Sequence, residues 1–440
     1  MYKINTILQG DTLSTLKTLP DEFVDTIITS PPYYGLRDYG TAKWEGGDSD
    51  CQHFRDEKSK NANTGQRNVE GGIGDGIYRE ICGKCGAKRI DQQLGLEKTL
   101  DLYLNKMLLI TGELKRVLKK TGVMFWNHGD SYASEGSLET GFWHGDNPGK
   151  NRLSNDEYSG RSRVARGSYP AKSLLLQNYR LVIKMIDDQD WILRNSLIWW
   201  KPNCMPSSVK DRFTVDYEPV FFFSKSKKYW FEMQYEAFET TTDMAKRETM
   251  RVGLTHKAAV RDWQGGMNER GKDAVMQIHL DRGRNKRCVW KIPTQSFKEA
   301  HFATFPEKLI EPMIKAGCPE FICKKCGKAR EKIMVTERPP DYNPSSQDPR
   351  NKGRGEMSHH RPLKEIFDVA LRSKRIDKGY SDCGCNAGFD GGIVLDPFMG
   401  SGTTGVVAKK LGRRWIGIEL NQSYIDMVNK RISEIPEKLF

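Results

Sequence analysis

Val394-Leu395-Asp396-Pro397-Phe398-Met399-Gly400-Ser401-Gly402-Thr403-Thr404-Gly405 sets three glycines between an apolar strand pattern and the start of a helical one. Such a loop lets a ligand approach bare backbone at a helix N-terminus. Gly400, Gly402 and Gly405 satisfy G-x-G-x-x-G, and Glu419 lies nineteen residues beyond Gly400, at the end of the next apolar run, where it could bind ribose hydroxyls. A dinucleotide-binding oxidoreductase is therefore one candidate. Against it, Asp396-Pro397-Phe398 intervenes between strand and glycines, whereas the dinucleotide fingerprint starts directly after its strand. The loop is also long and acidic for a pyrophosphate.

Working outward, the C-terminal block reads as strand 393–395, helix 403–411, strand 415–418 and helix 424–432. The N-terminus supplies strand 4–8 ending in Gly10-Asp11, a short helix 12–19, and strand 24–29 ending in Ser30-Pro31-Pro32-Tyr33. Leu100, Leu104, Met107, Leu114, Val117 and Leu118 recur at helical spacing, and Gly122 is expected to stop that helix before strand 123–127. Leu175, Tyr179, Val182, Ile183 and Ile186 predict the buried face of a further helix, followed by strands 192–200 and 220–223. Pro306 opens a helix through Ala316. The alternation predicts one α/β sheet whose strands are buried on both faces. No run approaches the ~18 apolar residues of a membrane span. The N-terminus meets Asp11 before an apolar segment can form, so neither a signal nor a transit peptide is expected and the chain is assigned to the cytosol.

Polar segments interrupt this scaffold, consistent with only 37% hydrophobic residues. Seven of the ten cysteines are clustered. Cys51 and His53 precede Cys82-Gly-Lys-Cys85-Gly; Cys323-Lys-Lys-Cys326-Gly precedes Cys383 and Cys385. Each group totals four soft or borderline ligands, which suits closed, tetrahedral, structural zinc in a reducing compartment. A redox dithiol would need a thioredoxin-like βαβ setting that neither segment shows. Residues 135–172 carry no periodicity and read as a solvated loop or one that orders on a polyanion. Residues 246–291 hold 12 Lys and Arg against 5 Asp and Glu, interleaved with Trp263 and Trp290, in a chain of net charge +13. That window is the natural phosphate-contacting region, with Arg282, Arg284, Lys286 and Arg287 its foremost candidates.

Asp396–Thr404 resembles the D-P-F-x-G-S-G-T-T loop of amino-group DNA methyltransferases, and Thr29-Ser30-Pro31-Pro32-Tyr33 is similar to their S-P-P-Y catalytic loop. Gly10-Asp11, Trp200-Lys201-Pro202-Asn203, Tyr217-Glu218-Pro219 and His301-Phe302-Ala303-Thr304-Phe305-Pro306 match as well. The order, catalytic loop first and cofactor loop last, resembles the permuted β class. The resemblance covers about half of the chain, and several short motifs in one permuted order are a far stronger signal than any one.

The resemblance implies a mostly parallel, seven-stranded, Rossmann-like methyltransferase sheet, circularly permuted. The catalytic domain would comprise 1–43, 91–240, 292–320 and 392–440, with a first zinc insert at 44–90, a target-recognition region at 241–291 and a second zinc insert at 321–391. It further implies S-adenosylmethionine, bound by Asp396, Pro397, Phe398, Gly400, Ser401, Gly402, Thr403 and Thr404, with the loop from Asp396 to Gly402 wrapped around its methionine end. Phe398 would pack on the adenine, Asp11 would meet the adenine amino group, and Glu419 the ribose. His301, Ala303, Phe305 and Pro306 would close the pocket. Taken singly, Asp396 can equally cap a turn, Phe398 can be core, and Glu419 can be an exposed strand end. A sulfonium cofactor has no phosphates, so an acidic Gly-rich loop tolerates it.

The catalytic loop makes chemical sense. An exocyclic amine on cytosine or adenine is a poor nucleophile because its lone pair is conjugated into the ring. Acceptors around its hydrogens free that pair for in-line attack. Ser30 Oγ and the Pro31 carbonyl can be those acceptors, Pro32 helps to hold the loop in one shape, and Tyr33 would stack on a base flipped from duplex DNA. A rigid Pro-Pro turn with an aromatic plug is the bland alternative. Serine ahead of Pro-Pro-Tyr points by resemblance to N4 of cytosine, with N6 of adenine the alternative. A non-catalytic zinc-ribbon nucleic-acid-binding protein would need the cysteines and the basic window but neither loop. The resemblance also places the enzyme in a bacterial or phage setting and leaves a cognate restriction endonuclease open as a partner.

Overall fold

A computed structural model describes residues 3–35, 43–53, 81–90, 93–133, 169–236, 284–295, 305–337 and 374–436. The main sheet is built from β1 (Thr6–Gln9), β2 (Val24–Thr29), β5 (Leu118–Asn127), β6 (Ile192–Trp200), β7 (Tyr217–Ser224), β10 (Val289–Lys291), β15 (Ile393–Asp396) and β16 (Arg414–Glu419). The remaining described strands form two-stranded sheets: β3 (Lys43–Glu45) with β4 (Lys88–Ile90), β8 (Tyr235–Glu236) with β9 (Arg284–Asn285), β11 (Ile322–Cys323) with β14 (Phe389–Asp390), and β12 (Lys332–Glu337) with β13 (Lys374–Tyr380). Among the described residues the sheet has eight strands, in the order β1-β16-β15-β2-β5-β7-β6-β10. All neighbours are parallel except β7, which is antiparallel to both β5 and β6.

The sheet therefore has one strand more than the seven expected. The addition is β10, where Val289, Trp290 and Lys291 pair with Ile198, Trp199 and Trp200. Its apolar Trp290 is buried, so the end of the basic window is a sheet edge.

Among the described residues six helices pack on the two faces: α1 (Thr12–Leu16), α2 (Leu100–Val117), α3 (Gln177–Gln189), α4 (Glu307–Gly317), α5 (Thr403–Lys410) and α6 (Gln422–Ser433). Alternate residues of the central strands feed two cores. Ile27, Met124 and Trp126 meet Leu104, Met107, Leu114 and Leu181 on one face. Ile28, Val123 and Phe125 meet Leu309, Met313, Ile314 and Val407 on the other. Burial on both faces is what the continuous apolar strands demanded, and truncating a core leucine such as Leu395 is expected to cost about 2–5 kcal/mol.

Two local expectations shift. The helix expected to reach Gly122 ends at Val117, because Leu118 turns extended and its strand pairs Leu118 with Val24. In α3 the buried face is Gln177, Asn178, Leu181, Val182 and Met185, while Tyr179, Ile183 and Ile186 are exposed. Polar Gln177 and Asn178 are inward because they hydrogen-bond Ser131 and His128, so the apolar pattern misjudged the face by about one position.

The chain divides into two compact units. One comprises Met1–Glu232, Cys288–Glu320 and Asp390–Phe440 and carries the main sheet. The other comprises Met233–Arg287 and Phe321–Phe389 and carries the antiparallel β12–β13 pair and the second cysteine group. No helix among the described residues is long and apolar enough to cross a membrane.

Candidate active site

The site follows from strand order. β2 and β15 are adjacent and parallel, with Val394 opposite Thr26 and Leu395 opposite Ile27. Their following loops, Ser30–Tyr33 and Pro397–Gly402, therefore leave the same edge of the sheet. β1 ends there before Asp11, β5 before His128 and β16 at Glu419, while antiparallel β7 begins there at Tyr217. Crevices at the carboxyl ends of parallel strands are where α/β sheets bind ligands.

Asp396 joins the two loops. Thr29 Oγ1 donates to its Oδ1 at 2.6 Å, Thr404 Oγ1 donates to Oδ2 at 2.7 Å, and the Phe398 amide donates to Oδ1 at 3.1 Å. Only 1% of Asp396 is exposed, and burial pushes its carboxyl up to about 6. Thr12 Oγ1 adds a bond to the Pro397 carbonyl at 2.9 Å. Asp396 thus organises the Gly-rich loop from inside.

Glu419 is held in a similar way. The Gly400 amide donates to Oε2 at 2.8 Å, and the Leu420 and Asn421 amides donate to Oε1, each at 2.9 Å. Burial raises its carboxyl above the ordinary range. Oε1 is filled by two amides, while Oε2, with a single donor, retains acceptor capacity, since a carboxylate offers about two lone-pair positions on each oxygen. Gly402 adopts a φ of +79°, and a Cβ there would lie 2.5 Å from Val428, so only glycine fits. Asp11 caps α1, accepting from the Ser14 amide at 3.1 Å through Oδ1. Phe398 is half-buried, edge-on to Trp126 at 6.4 Å between centroids. Ser401 and Thr403 hydroxyls lie 3.4 Å apart, and Arg431 donates to the Ser401 carbonyl. Phe305 packs on the second core and Pro306 is the buried N-cap of α4. His301 and Ala303 lie outside the described residues.

In the Ser30–Tyr33 loop, the Tyr33 hydroxyl lies 3.1 Å from Glu218 Oε2 and 3.2 Å from Ser30 Oγ. Burial and the Glu218 carboxylate push the Tyr33 phenol well above its ordinary value, so it stays protonated and donates to Glu218. Glu218 is in turn bridged by Lys201 Nζ. With its proton committed, Tyr33 Oη accepts from Ser30, which directs the Ser30 proton inward and leaves Oγ lone pairs free. Gly129 lies beneath the Tyr33 ring: a Cβ there would stand 2.7 Å from it. Pro31 is buried, and the Pro32 carbonyl accepts from Tyr103 Oη at 2.9 Å.

His128 completes this shell without exposure to solvent. Trp126 Nε1 donates to its Nδ1 at 3.3 Å, which leaves Nε2–H to donate to Tyr103 Oη at 3.2 Å. Burial depresses the imidazole to about 3, so it is neutral. Sequence reasoning named Lys201 and Glu218 only as motif matches and missed His128 and Tyr103. The run Asn127-His128-Gly129-Asp130, at the end of a predicted strand, was the available signal.

The two cysteine groups assemble as expected, each with ligand atoms within 4.8 Å of one another: Cys51, His53, Cys82 and Cys85, and Cys323, Cys326, Cys383 and Cys385. Cys51 and Cys82 sulfurs are 3.8 Å apart, and Cys85 Sγ is 3.6 Å from His53 Nδ1. A tetrahedron with ~2.3 Å metal–sulfur arms has edges of about 3.8 Å, which these two separations match, so the first group could hold zinc. Backbone amides of Ala87 and Asp48 lower the Cys85 thiol to about 6, and those of Cys326 and Lys325 do the same for Cys323. His53 also stacks on Trp44 of β3 at 4.1 Å.

Of the basic candidates, Arg282 lies outside the described residues, Arg284 is on β9, Lys286 is half-buried and Arg287 is exposed and paired with Glu236 at 3.0 Å. Most of residues 246–291 and of 135–172 lie outside the described residues too.

Comparison with known proteins decides the family. A DNA methylase family model covering N6- and N4-methyltransferases matches residues 24–326 and 347–430. The chain belongs to that DNA methylase family. The methylase is 28% identical over 431 residues to the type II methyltransferase M.Cfr9I of Citrobacter freundii, covering 97% of this chain and 87% of the relative. It is 27% identical over 430 residues to the type II methyltransferase M.SmaI of Serratia marcescens, covering 97% and 90%. Among solved structures, the cytosine-N4-specific PvuII DNA methyltransferase is similar at 16% identity and a TM-score of 0.45, covering 98% of this chain and 87% of that one.

Proposed function

We propose that this methylase transfers a methyl group from S-adenosylmethionine to the N4 amino group of a cytosine flipped out of duplex DNA. The carrying observation is the Thr29–Asp396–Thr404 hydrogen-bonded link, which fixes the Ser30–Tyr33 loop against the Gly-rich loop on adjacent strands. The donor set fits the cofactor: Glu419 and Asp11 present acceptors suited to hydroxyls and an amino group, and the acidic rim is hostile to a pyrophosphate. Glu419 would hold the ribose, Asp11 the adenine amino group, and Asp396–Gly402 the methionine end. When bound, the cofactor supplies a methyl carbon made electrophilic by its sulfonium.

The protein's own contribution is to prepare the amine. Ser30 Oγ, its proton directed toward Tyr33, accepts one amine hydrogen, and the Pro31 carbonyl accepts the other. The nitrogen lone pair is thereby released from the ring for attack on the methyl carbon. Methyl transfer would leave the amine nitrogen cationic, and one of its two hydrogens, held at Ser30 Oγ or the Pro31 carbonyl, would then be lost as a proton to solvent water. Tyr33, anchored by Glu218, forms a wall for the extruded base. A neutral hydroxyl at position 30 favours cytosine by resemblance alone, since both amines present similar geometry to the loop.

Lys286, Arg284 and Arg287 remain candidates for phosphate contact, and loss of salt dependence on charge reversal is their test. Zinc at the two cysteine groups would staple inserts too small to fold on their own cores. Mass spectrometry of nucleosides from DNA of cells expressing the protein tests the main reading. N4-methylcytosine is expected. N6-methyladenine alone would move the assignment to adenine, and no modified base would remove it.

A further inference from the structure

The segment between β6 and β7, residues 202–216, carries the two most exposed large apolar side chains among the described residues: Phe213 at 97% and Met205 at 86%. A single exposed apolar residue needs no explanation. A phenyl ring held almost wholly in water on an otherwise pinned loop does. The Asp216 carbonyl accepts from the Lys201 amide at 2.7 Å and its Oδ2 from Trp200 Nε1 at 2.9 Å, closing the base of the loop. Asn203 exchanges two bonds with the Thr294 backbone, at 2.8 and 3.2 Å. Asp211 pairs with Lys172 at 2.8 Å, and the Arg212 guanidinium lies 3.5 Å over the Tyr132 ring. The residues beside Phe213 are thus anchored while its ring is left without cover.

The position of this loop names what it meets. Its first residue follows Lys201 and its last precedes Tyr217 and Glu218, so its two ends are the ion pair that anchors Tyr33. We propose that the loop 202–216 enters the DNA base stack during extrusion of the target, with Phe213 as the side chain that fills the gap the base leaves. This rests on the base-flipping reading above. A base that reaches Ser30 leaves an apolar slot between two flat neighbours, which a phenyl ring matches in shape and chemistry; proteins that unstack DNA use such apolar wedges. Lys210, three residues before Phe213, is exposed and free to meet a phosphate flanking the slot.

The test uses the full chain and a duplex bearing the site it modifies, read from the methylated bases of an expressing cell. Phe213→Ala is expected to lower kcat/KM on the matched duplex by about tenfold or more, as a lost contribution to unstacking should. It should also remove the fluorescence rise of 2-aminopurine placed at the target, with cofactor affinity unchanged. Opposite an abasic position, where the target is already unpaired, the variant should approach the wild-type rate. Phe213→Trp should retain activity on both duplexes. An equal loss on matched and unpaired targets, no loss on either, or a change of oligomeric state in Phe213→Ala would overturn the wedge. A wild-type protein inactive on both duplexes would instead overturn the functional reading on which it rests.

Discussion

The Tyr33 hydroxyl donates to Glu218 Oε2 across 3.1 Å, joining residues that are 185 positions apart in the chain. If Glu218 acts through that hydroxyl on Ser30, removing either end of the bond has the same consequence. Tyr33→Phe and Glu218→Gln are each expected to lower kcat by about tenfold, and the double variant by no more than the worse single one. Additive losses in single-turnover assays would show that Glu218 serves only its pairing with Lys201.

Ser30→Ala is expected to reduce turnover by about a hundredfold while cofactor affinity stays within about twofold, because in the proposed mechanism the lost acceptor would touch the reacting amine and not the cofactor. Calorimetric titration alongside steady-state kinetics separates the two quantities. A parallel fall in both would assign Ser30 to the cofactor pocket.

Glu419→Gln keeps one carbonyl oxygen for the neighbouring amides but replaces an ionised acceptor by a neutral one. The expected result is a fold that melts near the wild type and binds S-adenosylmethionine about tenfold more weakly. Unaltered affinity would leave Glu419 as a purely structural acceptor for the Gly400, Leu420 and Asn421 amides.

Each cysteine group should hold one zinc, so elemental analysis should return two per chain. Cys85→Ser and Cys326→Ser should each remove one. A wild-type content near one, with Cys85→Ser unchanged, would delete the first site, and a content near zero both.

His128 predicts the acid limb of stability. Its folded-state value of about 3 lies below the ordinary imidazole value of 6.5, so between these pH values the unfolded chain binds a proton that the folded chain does not. This contribution is intact above pH 6.5 and is lost on acidification, by up to about 1.4 kcal/mol per pH unit. Denaturant unfolding of the wild type and His128→Asn at several pH values should show a shallower acid limb in the variant, whatever its stability at neutral pH. Identical limbs would refute the assignment.

How much of this was legible in the chain follows from the range over which each feature is encoded. Continuous apolar runs such as Val24–Thr29 and Ile393–Asp396, the glycines after Asp396 and the cysteine spacings are local, and they announced a buried parallel sheet, a ligand loop and two metal-type clusters. Period and residue type suffice for these, because a strand buried on both faces must be apolar throughout and a close backbone approach requires glycine. The rest was settled by strand order. Asp396 reads alone as a turn cap, yet adjacency of β15 to β2 gives it Thr29, a partner 367 positions away, as well as Thr404. Gln177 and Asn178 stand outside the buried face that the apolar spacing predicts, but the packing of α3 turns them onto Ser131 and His128 and leaves Ile183 exposed. Lys201 and Glu218 were motif letters until antiparallel β7 brought them together beside Tyr33. A polar side chain's choice between solvent and a buried partner depends on which distant donor or acceptor the fold delivers to it. Local pattern carries no record of that delivery, and only the assembled sheet does.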